Sequence, residues 1–122
     1  MQGLNEVASA LDVLARRGML YGGTRLRPRL VVRVWSTTYI VIKYSDGGTQ
    51  YIDKRRRLAV HIPTKMYKDA VEALNALASQ GLLYADGRRV ASVHRVGRRA
   101  VAVLEDGRTA TRMKKLVVQL PP

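Results

Sequence analysis

The sequence predicts an α+β domain made by tandem duplication. Each copy is a helix followed by antiparallel strands (αββββ-αββββ), and the copies pack about a pseudo-two-fold axis. Three observations predict this. The chain aligns with itself in order: residues 6–21 match residues 69–84 at an offset of 63, with identities at Ala10/Ala73, Leu11/Leu74, Leu14/Leu77, Ala15/Ala78, Gly18/Gly81, Leu20/Leu83 and Tyr21/Tyr84. The offset falls to 60 at Asp46-Gly47 and Asp106-Gly107, and to 58 where residues 58–63 match 116–121. Chance likeness between two helical patterns would not also reproduce the turn and the last strand. The start of each copy has helical apolar spacing, and the remainder alternates at strand spacing between turn residues.

The first helix is expected over residues 4–17. Leu4, Val7, Leu11, Leu14 and Ala15 form one stripe, Gly18 terminates it, and Arg16 and Arg17 suit its last turn. The second stripe is Val71, Leu74, Leu77 and Ala78, closed by Gly81, with Thr64 as the candidate N-cap. The first strand is expected over residues 25–34. Its alternation turns Leu26, Leu30, Val32 and Val34 one way and Arg25, Arg27, Arg29 and Arg33 the other. Pro28 marks it as an edge strand or as beginning near that point. Residues 39–44 and 49–53 form a hairpin through Asp46-Gly47, whose positive φ such turns need. Residues 58–62 complete the copy. The second copy repeats this over residues 89–96, 99–104, 108–113 and 116–120. Copies of about 60 residues are marginal alone, so residues 1–63 and 64–122 are expected to share one core. The order is similar, up to where the repeat begins, to the strands-then-helix repeats of the Whirly and PUR single-stranded nucleic-acid-binding proteins. No residue motif of either family is carried over.

Charge is the second theme. The 122 residues hold 22 Lys+Arg against 9 Asp+Glu, a formal charge of +13. Sixteen of the cations are Arg, whose planar fork pairs with phosphate and stacks on bases. A heat-adapted surface would favour Lys with Glu, whereas a polyanionic partner accounts for both the excess and the scarcity of acids. Divided after Pro63, the copies carry +7 and +6, so the charge is no basic tail on a neutral domain. The absence of cysteine excludes disulfides, thiolate metal sites and cysteine nucleophiles. No apolar run spans a bilayer, and the first ten residues lack the pattern of a signal peptide.

Two features are expected to carry binding. Arg25, Arg27, Arg29 and Arg33 share a strand face with Trp35, the only Trp, and Tyr39 and Lys43 have the parity to join them. Cations interleaved with rings on an open sheet suit single strands, since the cations track phosphates and the rings stack bases. The second feature is a basic run between the third and fourth strands of each copy. Lys54, Arg55, Arg56 and Arg57 form it in the first, and Arg112, Lys114 and Lys115 in the second. Arg95, Arg98 and Arg99 extend the basic surface of the second copy without aromatic company.

Catalysis finds little support. His61 and His94 stand apart, without clustered carboxylates, and Asp46 and Asp106 are explained by their turns. The expected function is therefore non-enzymatic binding of nucleic acid, DNA or RNA, without cofactor, metal or membrane. The expected setting is intracellular, with the protein alone, as a homo-oligomer or in a larger nucleoprotein assembly. The alternative is an accessory subunit of a ribosome-associated or viral genome-associated particle.

Overall fold

The structure, a computed structural model, describes residues 3–24, 26–110 and 116–120. The two alanine-rich stripes form helices α1 (Leu4–Arg16) and α2 (Lys68–Ser79). Their ends are built alike. Gly18, at φ 69°, donates its amide to Ala15 O, and Met19 donates to Leu14 O. Gly81, at φ 74°, donates to Ala78 O, and Leu82 to Leu77 O. This pair of bonds satisfies the last helical carbonyls and needs a left-handed residue after the cap, which glycine adopts at least cost. The starts differ from expectation. Thr64 does not cap α2, because the helix begins four residues later behind an extended Tyr67 with no side-chain cap bond. The intervening chain is drawn away to bury Met66, 1% exposed, whose amide donates to Arg98 O at 2.9 Å.

Ten strands accompany the helices: β1 (Leu20–Gly23), β2 (Pro28–Ser36), β3 (Ile40–Tyr44), β4 (Thr49–Ile52), β5 (Arg56–Val60), β6 (Leu83–Ala85), β7 (Arg88–Val96), β8 (Arg99–Leu104), β9 (Thr109–Ala110) and β10 (Leu116–Leu120). They form one antiparallel sheet in the order β4-β3-β2-β1-β5-β10-β6-β7-β8-β9. Each half therefore has five strands, not four. The additional ones, β1 and β6, are too short to show alternation, and β1 ends in Gly22-Gly23. They exist because longer strands pair with them on both sides. Pro28 opens β2 beside Gly23, an interior strand's first residue, where no mid-strand ladder amide is lost.

One irregularity changes which side chains share a face. The pairing of β2 with β3 shifts between Val31 and Arg33, and that of β7 with β8 between Val90 and Ser92. Such a bulge reverses the parity of the residues beyond it. Before it, Arg29 and Val31 face the helices and Leu30 faces away; after it, Val34 faces the helices and Arg33 and Trp35 face away. The even alternation expected over residues 25–34 is thus broken, and Leu26 is 94% exposed, outside the strand. Each bulge is tied to a helix. Asp12 of α1 accepts from the amide of Val34 at 2.9 Å, and Asn75 of α2 accepts from that of Val93 at 3.0 Å.

Both helices lie on the same side of the sheet, α1 against β2, α2 against β7, and each against the other. A single core results. Leu11, Leu14, Leu74 and Leu77 meet Leu20, Ile42, Leu58, Leu83, Ala102 and Val118 in one buried cluster drawn from both halves.

Candidate nucleic-acid interface

Among the described residues, the opposite side of the sheet carries no helix. Antiparallel register puts directly paired residues on the same face, so its occupants can be read row by row. In the first half Trp35, Val41 and Tyr51 form one row across β2, β3 and β4, and Arg33, Lys43 and Thr49 form the next. Trp35 is 37% exposed and Tyr51 60%, yet Val41 between them is 0% exposed and stands apart from the main core. The two rings therefore cover Val41 and still offer surface outward. Tyr39, 48% exposed, stands in the β2–β3 turn at the end of this face. The protein has one Trp and six Tyr. Tyr21, Trp35, Tyr51 and Tyr84 point away from the helices, whereas the core, among the described residues, holds only Tyr44. Rings normally supply core area, so this allocation is unusual for a fold of this size.

Electrostatics divides the same way. Among the described residues no strand contains Asp or Glu. The acids sit on the helices and in the turns, and there they meet arginine: Asp12 pairs with Arg16, Asp69 with Arg17, Asp46 with Arg29, Asp106 with Arg88 and Arg108, and Glu105 with Arg89. Two of these carboxyls are held below their ordinary pKa. For Asp46 the main cause is the bond from the Gly48 amide, followed by that from Arg29; for Asp69 it is the bond from Arg17. Arg89 is pushed the other way, its proton held more firmly, first by the Tyr84 hydroxyl that it hydrogen-bonds. On the open face Arg33 stands directly opposite Lys43, and neither forms an ion pair with any described residue. Like charges directly opposite one another destabilise a sheet. In the second half the equivalent pair is Ser92 and Val103, which carries no charge.

The expected binding residues are sorted by this geometry. Arg33, Trp35 and Lys43 share the open face, with Arg57 further along the sheet on β5 and Arg99 on β8. Arg29 does not join them. The bulge turns it to the helix side, where its guanidinium lies 3.8 Å from the Tyr44 ring centre and forms a two-pronged pair with Asp46. Arg56 and Arg57 belong to β5 rather than to a loop, so they point to opposite faces; Arg56 is paired with Leu120 on the helix side. Lys54 and Arg55 remain exposed before β5, and Arg27 is exposed before β2. Arg95 has the helix-side parity of its partner Ala100 and donates from Nε to Gly97 O at 3.0 Å, while Arg98 is at the hairpin tip. Arg25, Arg112, Lys114 and Lys115 lie outside the described residues.

Sequence reasoning missed Tyr21, Tyr51 and Tyr84. The first and third are visible as a recurring identity at the offset of 63, but their strands are too short to give a parity. Among the described residues no three of His, Asp and Glu converge as metal ligands, and no helix is long and apolar enough to cross a membrane. Set against known protein families, curated proteins and solved structures, the chain matches none of them.

Proposed function

We propose that this is a non-enzymatic nucleic-acid-binding protein whose interface is the helix-free face of the sheet. One observation carries the reading: that face combines outward rings with cations that have no carboxylate among the described strands. The direct opposition of Arg33 and Lys43 adds to it, because it costs stability and a polyanion would relieve it. In this reading Arg33, Lys43, Arg57, Arg99 and the Lys54–Arg55 segment contact phosphates. Trp35, Tyr39 and Tyr51 stack on bases, which favours single strands of DNA or RNA.

The reading includes the origin of the scaffold. The halves are copies related by a pseudo-two-fold, and the strand order supports this by reading the same from either edge when each strand is exchanged for its counterpart. The inter-helix contacts support it independently. Arg17 donates to Asp69, and Gln80 donates to Glu6, the same two positions with the halves exchanged. Reciprocal contacts of this kind are the mark of a two-fold interface. Residues 1–63 and 64–122 are then repeats within one domain. In β5 and β10 the chains run oppositely, so Arg56 lies beside Leu120 while β10 begins beside Val60.

The test is an electrophoretic titration with single- and double-stranded DNA and RNA at two salt concentrations. Binding that weakens steeply with salt is expected, because each phosphate contact releases counterions. Replacing Arg55 and Arg57 by Ala should flatten that slope. Absence of binding to all four probes at low salt would end the proposal. Elution of the purified protein as a nucleic-acid-laden particle, rather than as a monomer or small oligomer, would favour the accessory-subunit alternative.

A further inference from the structure

The middle of the open face is a second site, distinct from the Trp35 flank. Register aligns Tyr21, Ala59, Val117 and Tyr84 in one row across β1, β5, β10 and β6. The small residues make the floor and the tyrosines stand at either side. Beside this row Arg57 pairs directly with Gln119. Together these residues line a groove of about 740 Å³, bordered by the turns that hold Thr24 and Asp86. An adjoining hollow of about 610 Å³ shares Arg57, Tyr84 and Gln119 and continues to Arg55 and Arg56. Their shared residues bring the groove between the tyrosines to Arg57, with the exposed Arg55 beyond it. The Tyr84 hydroxyl accepts a bond from Arg89 at 3.3 Å, which orients its ring.

We infer that this groove holds unpaired nucleobases of a single strand. Tyr21 and Tyr84 each stack one base, Arg57 takes the intervening phosphate, and the Gln119 amide meets a base edge. The inference rests on the nucleic-acid reading above and adds a base-contacting site to it. Three observations argue for it. The tyrosines are three strand spacings apart, about 14 Å, too far to clasp one base between them, so each takes its own. The floor between them is apolar and uncharged, suited to the faces and edges of bases rather than to phosphates. Among the described lining residues, cations occur only at the Arg55–Arg57 end, and the carboxylate of the rim, Asp86, is at the other turn. The groove thus has an arginine-rich end, while the cation beside Tyr84, Arg89, is paired with Glu105. A duplex hides the faces of its bases from such rings, whereas a single strand presents them.

The test uses fluorescence anisotropy with three probes: a labelled 12-nucleotide thymidine strand, the same strand with abasic sites in its central half, and a 12-base-pair duplex. The proteins are the full chain, Y21A/Y84A, and A59I, which fills the exposed floor from the solvent side with a bulky group that has no π face. The intact strand should bind the unmodified protein about tenfold tighter than the abasic strand of equal charge. Both variants should lose most of that preference while keeping the salt dependence of binding and the circular dichroism of the parent. Tyr21→Phe with Tyr84→Phe should retain the preference, since the ring and not the hydroxyl stacks. Equal binding of intact and abasic strands by the parent would overturn the inference together with base stacking at Trp35, and leave only the phosphate contacts of the wider reading standing. Tighter binding of the duplex than of the intact strand would overturn it likewise, as would a full preference in A59I. No binding to any probe at low salt would remove both.

Discussion

The two outer thirds of the open face stand on the same scaffold and differ in their rings and in the pair that stands beside them. In the first half, β2–β4 present Trp35, Tyr51, Arg33 and Lys43. In the second, the corresponding strands β7–β8 present His94, Val101, Ser92 and Val103, with Val96 62% exposed near the hairpin tip beside Arg99, and Arg89 next to Tyr84. What folding requires is kept in both: the glycine that closes each helix, the bulge, the helix side chain that accepts the bulge amide, and an Asp-Gly turn whose Asp accepts an amide two residues on. What differs is the surface that folding does not need. The first half even accepts two opposed cations where the second has a neutral pair. A residue set that differs over a common scaffold is not fixed by folding, which leaves it free to serve the ligand proposed above.

The largest effect expected concerns what the halves share. Leu11→Ala and Leu74→Ala remove fully buried side chains from one common core, and each should cost about 2–5 kcal/mol. Calorimetry should still show one transition in both. Two separated transitions would mean that the halves are independent, contrary to the shared core.

The next effect concerns what they do not share. Trp35→Ala should weaken single-strand binding by about 1–3 kcal/mol, and His94→Ala, at the equivalent position, by much less. Equal losses would show that the halves contact the ligand alike. Measured on a duplex, the loss from Trp35→Ala should shrink, because stacking requires an accessible base.

A double exchange sharpens the contrast. Giving the first half the second half's pair, R33S with K43V, should raise stability by a few tenths of a kcal/mol through removal of like-charge opposition. The same change should lower the salt slope of single-strand binding by about 1.4. A stability loss together with unchanged binding would show the two cations to be structural.

The smallest effect is acid sensitivity. Asp46 and Asp69 are held below their ordinary pKa in the folded chain, so their contribution is complete above the unfolded value near pH 4. It is lost as pH falls from there through the folded values. Urea midpoints recorded between about pH 5 and pH 2 should therefore decline, and less so in D46N/D69N. Both groups are largely exposed, so the difference should be modest.

The helices, their glycine ends and the Asp-Gly hairpin of the first half are legible locally, because each depends on residues within one turn of each other. The proposed binding face is legible in part. Trp35, Arg33 and Lys43 do lie together, since the pairing of β2 with β3 after the bulge keeps their common parity. Alternation alone puts Arg29 on the wrong face, because a bulge leaves no mark in a pattern of alternating Arg and Val. Arg56 and Arg57 look like a loop because a run of charge hides the start of β5, where the register is with β10.

By itself, then, the order of residues determined the α+β class, the excess of arginine, and the separation of acids from the segments that become strands. Those depend on composition and on spacing over a few residues. Tertiary structure alone decided that β1 and β6 exist, that β5 and β10 meet at the centre, and that Tyr21 and Tyr84 flank one groove. The physical reason is that these outcomes depend on hydrogen bonds between segments tens of residues apart. A ladder partner is chosen by the whole sheet and by the core beneath it, and no local pattern records that choice.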